Sequence, residues 1–180
     1  MSVTIHPTNT YNVQASLVQF WIDELGALYD ASPPAYFAAT PATLINWPDI
    51  QMSMPCYSFY HLMASSLSDS YQGRVVSETE AGVKAVGSLA IDMWVNREDT
   101  QNGREVWQAR LEWMSAAVQM VYTRTKSVTV FDYLNAPEVP KPTNYLVRMK
   151  DMNSIQRARD DNPAVERRAI IINYGWTLRA

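Results

Sequence analysis

The residue types that most often carry catalysis are few and scattered in this sequence. It contains two histidines, His6 and His61, and one cysteine, Cys56. A protein zinc site needs three or four His, Cys or carboxylate ligands, so a His/Cys metal site is not expected. A lone cysteine excludes an internal disulfide, and we expect Cys56 to be a buried thiol. His61 has no second histidine or carboxylate pattern beside it, so we expect no catalytic or metal-binding role for it.

The acidic pairs are weak candidates for general acid–base chemistry. Asp160 and Asp161 are adjacent, and Glu78 and Glu80 lie in another polar stretch. Such acids are normally solvated, whereas a general acid needs a cleft that shifts its pKa. The sequence has no nucleophile elbow, P-loop, dinucleotide fingerprint or HExxH motif. We therefore expect no enzyme activity, and no catalytic, cofactor-binding or metal-binding residue.

The arginines near the C terminus are more informative charges. Arg167 and Arg168 are adjacent in an expected strand, so their side chains point to opposite faces. Guanidinium–carboxylate pairs favour a defined register at interfaces, here with acids of a neighbouring subunit such as Glu166. The alternative is that these are solvated charges at the start of a strand. The candidate subunit-interface residues are Arg157, Arg159, Asp160, Asp161, Arg167 and Arg168.

Length and composition place the chain among ordinary globular proteins. Its 180 residues suggest one domain with a sizeable core, and 47% of them are apolar while 18% are charged. The net charge of −3 and the lack of a long basic run argue against a dedicated nucleic-acid binder. No signal peptide or membrane span is visible in the sequence. We expect a protein that folds in a reducing cytoplasm.

The last sixteen residues, 165–180, organise the expected fold. One alternate set of side chains becomes bulky and apolar, namely Ile170, Ile172, Tyr174, Trp176 and Leu178. The other set is smaller and more polar. This alternation predicts a long strand with one face on a core, and the β-branched run at 170–172 disfavours a helix. A strand this long is expected in the middle of a sheet.

The rest of the chain supplies two amphipathic helices and further strands. Apolar residues recur every three or four positions over 11–29 and 104–125, which predicts the helices. The predicted strands are 43–47, 55–67, 88–96, 127–134 and 144–152. In the last of these, Arg148 and Lys150 alternate, so one side should face solvent or a partner. Loops are expected at 30–54, which is rich in proline, and at 135–143.

These elements predict an α+β fold in a single domain, 1–180. We expect a mostly antiparallel sheet with both helices packed on one face, together with long loops. Residues 1–54 would form the N-terminal helix and the proline-rich excursion, and 55–180 the sheet-and-helix core. The opposite sheet face carries Arg167, Asn173 and Thr177, which is too polar for a second core.

From about Pro55 onward, the order of segments resembles the tail terminator proteins of long-tailed bacteriophages. The matching segments are PCYSFYHL, GSLAIDMWVNRED, REVWQARLEWMSAAVQMVY, SVTVFDYL and the closing block NYLVRMKD…RARDDNPAVERRAIIINYGWTLRA. The resemblance covers roughly two-thirds of the chain and is one of arrangement rather than of a diagnostic motif. The excursion at 30–54 departs from it, being longer than such proteins usually carry.

The resemblance implies a non-enzymatic ring, usually of six copies, on the last ring of the tail tube. Such a ring stops tube polymerisation and offers the surface to which the head connector docks. Its partners would be further copies of the chain, the tube protein, the head–tail connector or neck protein and, in contractile tails, the sheath protein. The chain would be part of the virion tail at its head-proximal end, after assembly in the host cytoplasm, without cofactor, membrane or specific nucleic-acid binding.

Two other functions remain open on the sequence. The chain could be a small-ligand-binding or enzymatic α+β domain, with a pocket under the 30–54 loop lined by Tyr36, Trp47 and His61. It could also be another tail or neck subunit, such as a tube or baseplate protein.

Overall fold

The computed structural model describes residues 5–31, 35–37, 39–45, 54–64, 82–156 and 163–179. The helices in these ranges are α1 (Thr10–Ala31) and α2 (Trp107–Arg124). The strands are β1 (Ala42–Ile45), β2 (Cys56–Ala64), β3 (Gly82–Asn96), β4 (Thr100–Gln101), β5 (Arg104–Glu105), β6 (Ser127–Asp132), β7 (Lys141–Gln156) and β8 (Val165–Arg179).

Six strands form one sheet in the order β1-β2-β3-β8-β7-β6, while β4 and β5 make a small separate hairpin. Every pairing in the large sheet is antiparallel except that of β1 with β2. The α+β prediction is confirmed. The prediction for the C-terminal strand is also confirmed, since β8 lies between β3 and β7 in the interior of the sheet.

The alternation of β8 decides which face of the sheet carries the main core. Ile170, Ile172 and Tyr174 are fully buried or nearly so, and they join one hydrophobic cluster with residues of both helices. A strand with large β-branched and aromatic residues on one side buries that side against whatever layer is available. Here that layer is the helix pair, as predicted from the two apolar stripes.

Aromatic side chains pack together where the two helices meet. The Tyr29 and Tyr57 hydroxyls are 2.8 Å apart, and the Tyr57 hydroxyl donates to the Met114 carbonyl at 3.3 Å. Phe37 packs against Tyr29 and Trp113, with ring centroids 5.4 and 5.7 Å away. The beginning of the proline-rich excursion therefore packs on the helix layer. Aromatic pairs at these separations add to the stability given by burial alone.

Helix α1 also covers part of the outer edge of β6. The buried Asn12 side chain accepts hydrogen bonds from the backbone N–H groups of Tyr133 and Leu134, at 3.0 and 3.2 Å. The Ser16 hydroxyl accepts one from the N–H of Phe131 at 2.8 Å. An edge strand presents unpaired main-chain groups, and a neighbouring helix can satisfy them with polar side chains. This explains why two polar residues are buried in α1.

Two strands are longer than the sequence predicted, and one predicted loop contains strand. β3 begins at Gly82 instead of residue 88, and β7 runs over Lys141–Gln156 instead of 144–152. Pro142 therefore lies in a strand and pairs with Phe131, although its lack of an N–H predicted a loop. Proline is tolerated near the first residue of a strand, where one missing donor costs little.

The prediction that the second sheet face is too polar for a core is wrong for part of that face. Cys56, Trp94 and Val165 form a small second cluster and are almost completely buried, with Ala42 and Met54 packed against them. These residues lie on three neighbouring strands at one end of the sheet. The residue pattern within a single strand does not reveal such a cluster, because each strand contributes only one residue to it.

Gly87 makes room for the central aromatic residue of β8. It pairs directly with Tyr174, and a Cβ added at Gly87 would lie 2.5 Å from the Tyr174 ring. The ring is buried, and its hydroxyl lies 3.0 Å from Nδ1 of His61. The Tyr174 ring packs against His61 and Trp176, so it cannot move away from Gly87 at low energetic cost.

Gly87→Ala is expected to lower the free energy of unfolding by about 1–3 kcal/mol, the usual cost of overpacking. Gly26→Ala serves as the matched control. A Cβ at that helical position meets nothing within 4 Å, and alanine in a helix interior is favoured over glycine by roughly 0.5–1 kcal/mol. Urea unfolding of both variants would test this. Equal stability of Gly87→Ala and wild type would contradict the packing described here.

Candidate functional site

The predicted interface residues divide into two groups. Arg157, Arg159, Asp160 and Asp161 lie outside the described residues. Arg167 and Arg168 are described, and they do point to opposite faces of β8, as adjacent residues in a strand must.

Arg168 points to the helix layer and pairs with α2. Its Nη2 donates to Oε1 of Glu112 at 2.7 Å, and its Nη1 donates to the Ser115 hydroxyl at 3.0 Å. The Arg168 guanidinium lowers the pKa of Glu112, first through this hydrogen bond and then through its charge. The neighbouring Glu166 forms an ion pair with Arg97. Both contacts tie the start of β8 to elements of the same chain.

Arg167 points to the opposite face and belongs to a buried polar network. Its guanidinium forms an ion pair with Asp92, which has no solvent exposure. The Tyr60 hydroxyl accepts a hydrogen bond from Arg167 Nη2 at 3.1 Å and donates to Oδ2 of Asp92 at 3.2 Å. The guanidinium carbon also lies 4.5 Å from the centroid of the Trp94 ring. A buried carboxylate requires such compensation, because an unpaired buried charge is very costly.

These contacts bear on the interface interpretation of the two arginines. Each guanidinium has a carboxylate partner within its own chain, and the Glu166 carboxylate is paired with the guanidinium of Arg97. Their charges are thus already balanced, and their placement is explained without a neighbouring subunit. Contact between these residues and a second copy of the chain stays a prediction.

The ligand pocket expected near Tyr36 and His61 is not formed by these two residues. Residues 35–37 follow the end of α1, where the Tyr36 carbonyl accepts from Nε of Arg110 at 2.8 Å. His61 instead lies near Gln14, in the second turn of the same helix. Seventeen residues of α-helix, at 1.5 Å each, separate the two sites by about 25 Å. The third expected residue, Trp47, lies outside the described residues.

His61 is a half-buried residue whose ring packs against that of Tyr174. Burial lowers its pKa to about 4, against a smaller raising effect from a backbone hydrogen bond with Gln14. Its Nε2 is buried and has no hydrogen-bond partner among the described residues. Burial likewise raises the pKa of the Cys56 thiol to about 12, so this thiol is protonated at neutral pH. In the described part of the chain, no three His, Cys, Asp or Glu side chains come together as a metal site requires.

A different site lies where β7 and β8 part. The β7–β8 ladder ends at the pair Arg148↔Gly175, and beyond it β8 continues to pair with β3 but with no other described strand. The first half of β7 pairs instead with β6, up to the pair Ser127↔Arg148. The two strands therefore diverge and enclose a cavity of about 680 Å³, which we call the cleft. Ligand-binding cavities commonly measure roughly 300–1,000 Å³.

The cleft has an apolar inner side and a cationic outer side. Val130, Ala85 and Trp176 are buried and line the side toward the main core. The Trp176 indole donates to the Thr8 carbonyl at 3.0 Å, so the segment before α1 closes this side. The outer side carries the exposed cations Lys84, Arg148 and Lys150. Among the described residues that line the cleft there is no carboxylate.

The alternation of Arg148 and Lys150 is the one sequence signal that pointed to this surface. It indicated that one side of β7 faces solvent or a partner, which agrees with the exposure of both side chains. The cleft itself was not predicted, because its existence depends on where the β7–β8 ladder ends. Gly175 was likewise missed: the Lys150 side chain crosses it, and a Cβ at Gly175 would lie 2.8 Å from Cε of Lys150.

No protein-family model matches this sequence, and no curated protein matches it. Neither α1 nor α2, nor any other helix within the described residues, combines the length and apolar character needed to cross a membrane.

The Arg167–Asp92 pair can be tested by a double-mutant cycle. Asp92→Leu and Arg167→Met are each expected to lower the free energy of unfolding by about 3–5 kcal/mol, because each leaves a buried charge without its partner. The double variant should be more stable than the sum of the two losses predicts, since it removes both charges. Additive losses in urea unfolding would show that the two residues do not interact.

His61 should make stability depend on pH in a defined window. Its pKa is about 4 in the folded protein and about 6.5 in the unfolded chain. The unfolded state therefore binds more protons between these values, and stability is complete above pH 6.5 and falls toward pH 4. His61→Asn should flatten this dependence between pH 6.5 and 5, as measured by urea unfolding at several pH values. An unchanged slope would contradict the assignment.

Proposed function

We propose that this chain is a structural virion protein that forms a closed ring at the end of a phage tail tube. In this role it stops tube polymerisation and joins the tail to the head connector. The proposal rests on the resemblance of residues 55–180 to tail terminator proteins. It also rests on one structural observation, the open edge of the sheet at β7.

The second half of β7 extends beyond its outer neighbour. β6 pairs with β7 only as far as Arg148, whereas β7 pairs with β8 on its other side as far as Gln156. Beyond Lys150, whose carbonyl accepts from the Tyr122 hydroxyl at 3.1 Å, no described strand covers this outer edge. Asp151 and the residues 153–155 are exposed, including the apolar Ile155. We call residues 151–156 the open edge.

An open strand edge supports assembly of copies. Unpaired main-chain groups in an extended strand are a template for pairing with another chain, and solitary proteins usually protect them. A ring needs interfaces that join two different surfaces of successive subunits and that close after a full turn. The open edge supplies one such surface, and the exposed apolar side chain of Ile155 would be buried there.

Another tail or neck subunit would use the same edge, so position in the particle is what separates these functions. Cryo-electron microscopy of intact particles should place the chain as a ring between the tail tube and the connector. Tails assembled without the chain should vary in length. One fixed tail length in its absence would exclude the terminator role.

The role of the open edge can be measured separately on the purified chain. Ile155→Asp should weaken self-association at least tenfold, because it places a charge on a surface that assembly buries. Val139→Asp is the matched control, since Val139 is an exposed apolar residue outside the open edge, in the loop before β7. Light scattering after size-exclusion chromatography would report the mass of each variant. A wild-type monomer at all concentrations, or equal loss in both variants, would contradict the assignment.

A further inference from the structure

We propose that the cleft between β7 and β8 binds an extended acidic segment of another protein, which enters the sheet as an additional strand. This inference does not depend on the tail function, because it is argued from the cleft alone. Its ligand class is a peptide with alternating apolar and acidic side chains.

Within the described residues, the main chain on each side of the cleft has no strand partner across it. Residues Trp176–Arg179 of β8 pair with β3 on one side and have no ladder partner in β7. Residues 141–147 of β7 pair with β6 or face it, and they have no ladder partner in β8. Residues of both stretches line the cleft, so the two strand edges face each other across it. A strand placed between them can hydrogen-bond with both neighbours, which is how extended peptides bind to open sheet edges.

Four residues of strand, at 3.3 Å each, extend for about 13 Å. This is the length of β8 that lies beyond the last pair with β7. Since β7 and β8 are antiparallel, an inserted strand would be antiparallel to one and parallel to the other. Both arrangements are common in mixed sheets.

The two sides of the cleft specify the alternation of the peptide. Successive side chains of a strand point to opposite faces. On the core side they would meet Val130, Ala85 and Trp176, which favour apolar residues. On the outer side they would meet Arg148 and Lys150, which favour carboxylates.

The charges of Arg148 and Lys150 are not balanced within the described part of the chain. Neither Arg148 nor Lys150 forms an ion pair with a described residue. The nearest acid along β7, Asp151, accepts from the Asn173 amide at 2.7 Å and does not line the cleft. Carboxylates of a bound peptide would supply the missing anions, and the whole chain, at net charge −3, is not itself a general attractor of anions.

The experiment uses the full chain and a fluorescein-labelled octapeptide of alternating valine and glutamate. Fluorescence anisotropy should show saturable binding, and the Arg148→Glu/Lys150→Glu double variant should bind at least tenfold more weakly. Lys126→Glu is the matched control, since Lys126 is an exposed cation outside the cleft and should leave affinity within twofold. Circular dichroism melting of each variant would verify that it is folded.

Two further probes separate strand insertion from simple charge attraction. The same peptide with N-methylated backbone amides keeps its charges but cannot pair in a ladder, and it should bind at least tenfold more weakly. Bound unmodified peptide should slow hydrogen exchange of amides in residues 143–147 and 176–179. Equal binding of the methylated peptide, equal binding of a single-stranded oligonucleotide of the same charge, or no saturable binding by wild type would each overturn the proposal.

Discussion

β3 and β8 pair over fifteen consecutive positions, from Gly82↔Arg179 to Asn96↔Val165, without interruption. Both helices pack on the apolar face of this pair, and the other strands extend the sheet from its two sides. Because β3 and β8 are far apart in sequence, their ladder closes a long loop. The entropic cost of that closure has to be met by the contacts that it brings together.

The long ladder also carries the polar contacts that hold its register. Asp92 of β3 and Arg167 of β8 pair on one face, and Gly87 accommodates Tyr174 on the other. A one-residue shift of β3 would move Asp92 into the helix-side core, and a one-residue shift of β8 would move the Tyr174 ring to the opposite face. Each contact is specific to one register, so the two together exclude the neighbouring alternatives.

β7 differs from the other strands because it changes partners along its length. Its first half pairs with β6 and its second half with β8, with only Arg148 in both ladders. Within the described residues, this stagger leaves a main-chain edge without a strand neighbour at each end of β7. At one end it produces the cleft, with its apolar and cationic sides, and at the other the open edge. Both surfaces proposed to bind other chains thus follow from one feature of sheet pairing.

The elements and their apolar faces could largely be predicted from the sequence. Alternation over 165–178 and the three-to-four spacing in both helices are local patterns, and they report directly which side chains face a core. The opposite directions of Arg167 and Arg168 follow from strand geometry for the same reason. The resemblance to tail terminators, by contrast, suggests a role without locating a site.

The residues that contact each other across the sheet could be identified only from the tertiary structure. The pairing of Arg167 with Asp92, the second cluster around Trp94 and the fit of Tyr174 over Gly87 each join residues from distant strands. Where the β7–β8 ladder stops is also a matter of strand stagger, which side-chain periodicity does not encode. The sequence by itself determined which face of each element is apolar. Only the tertiary structure decided which strands adjoin and where they part, because hydrogen bonding between strands is made by main-chain groups that every residue shares.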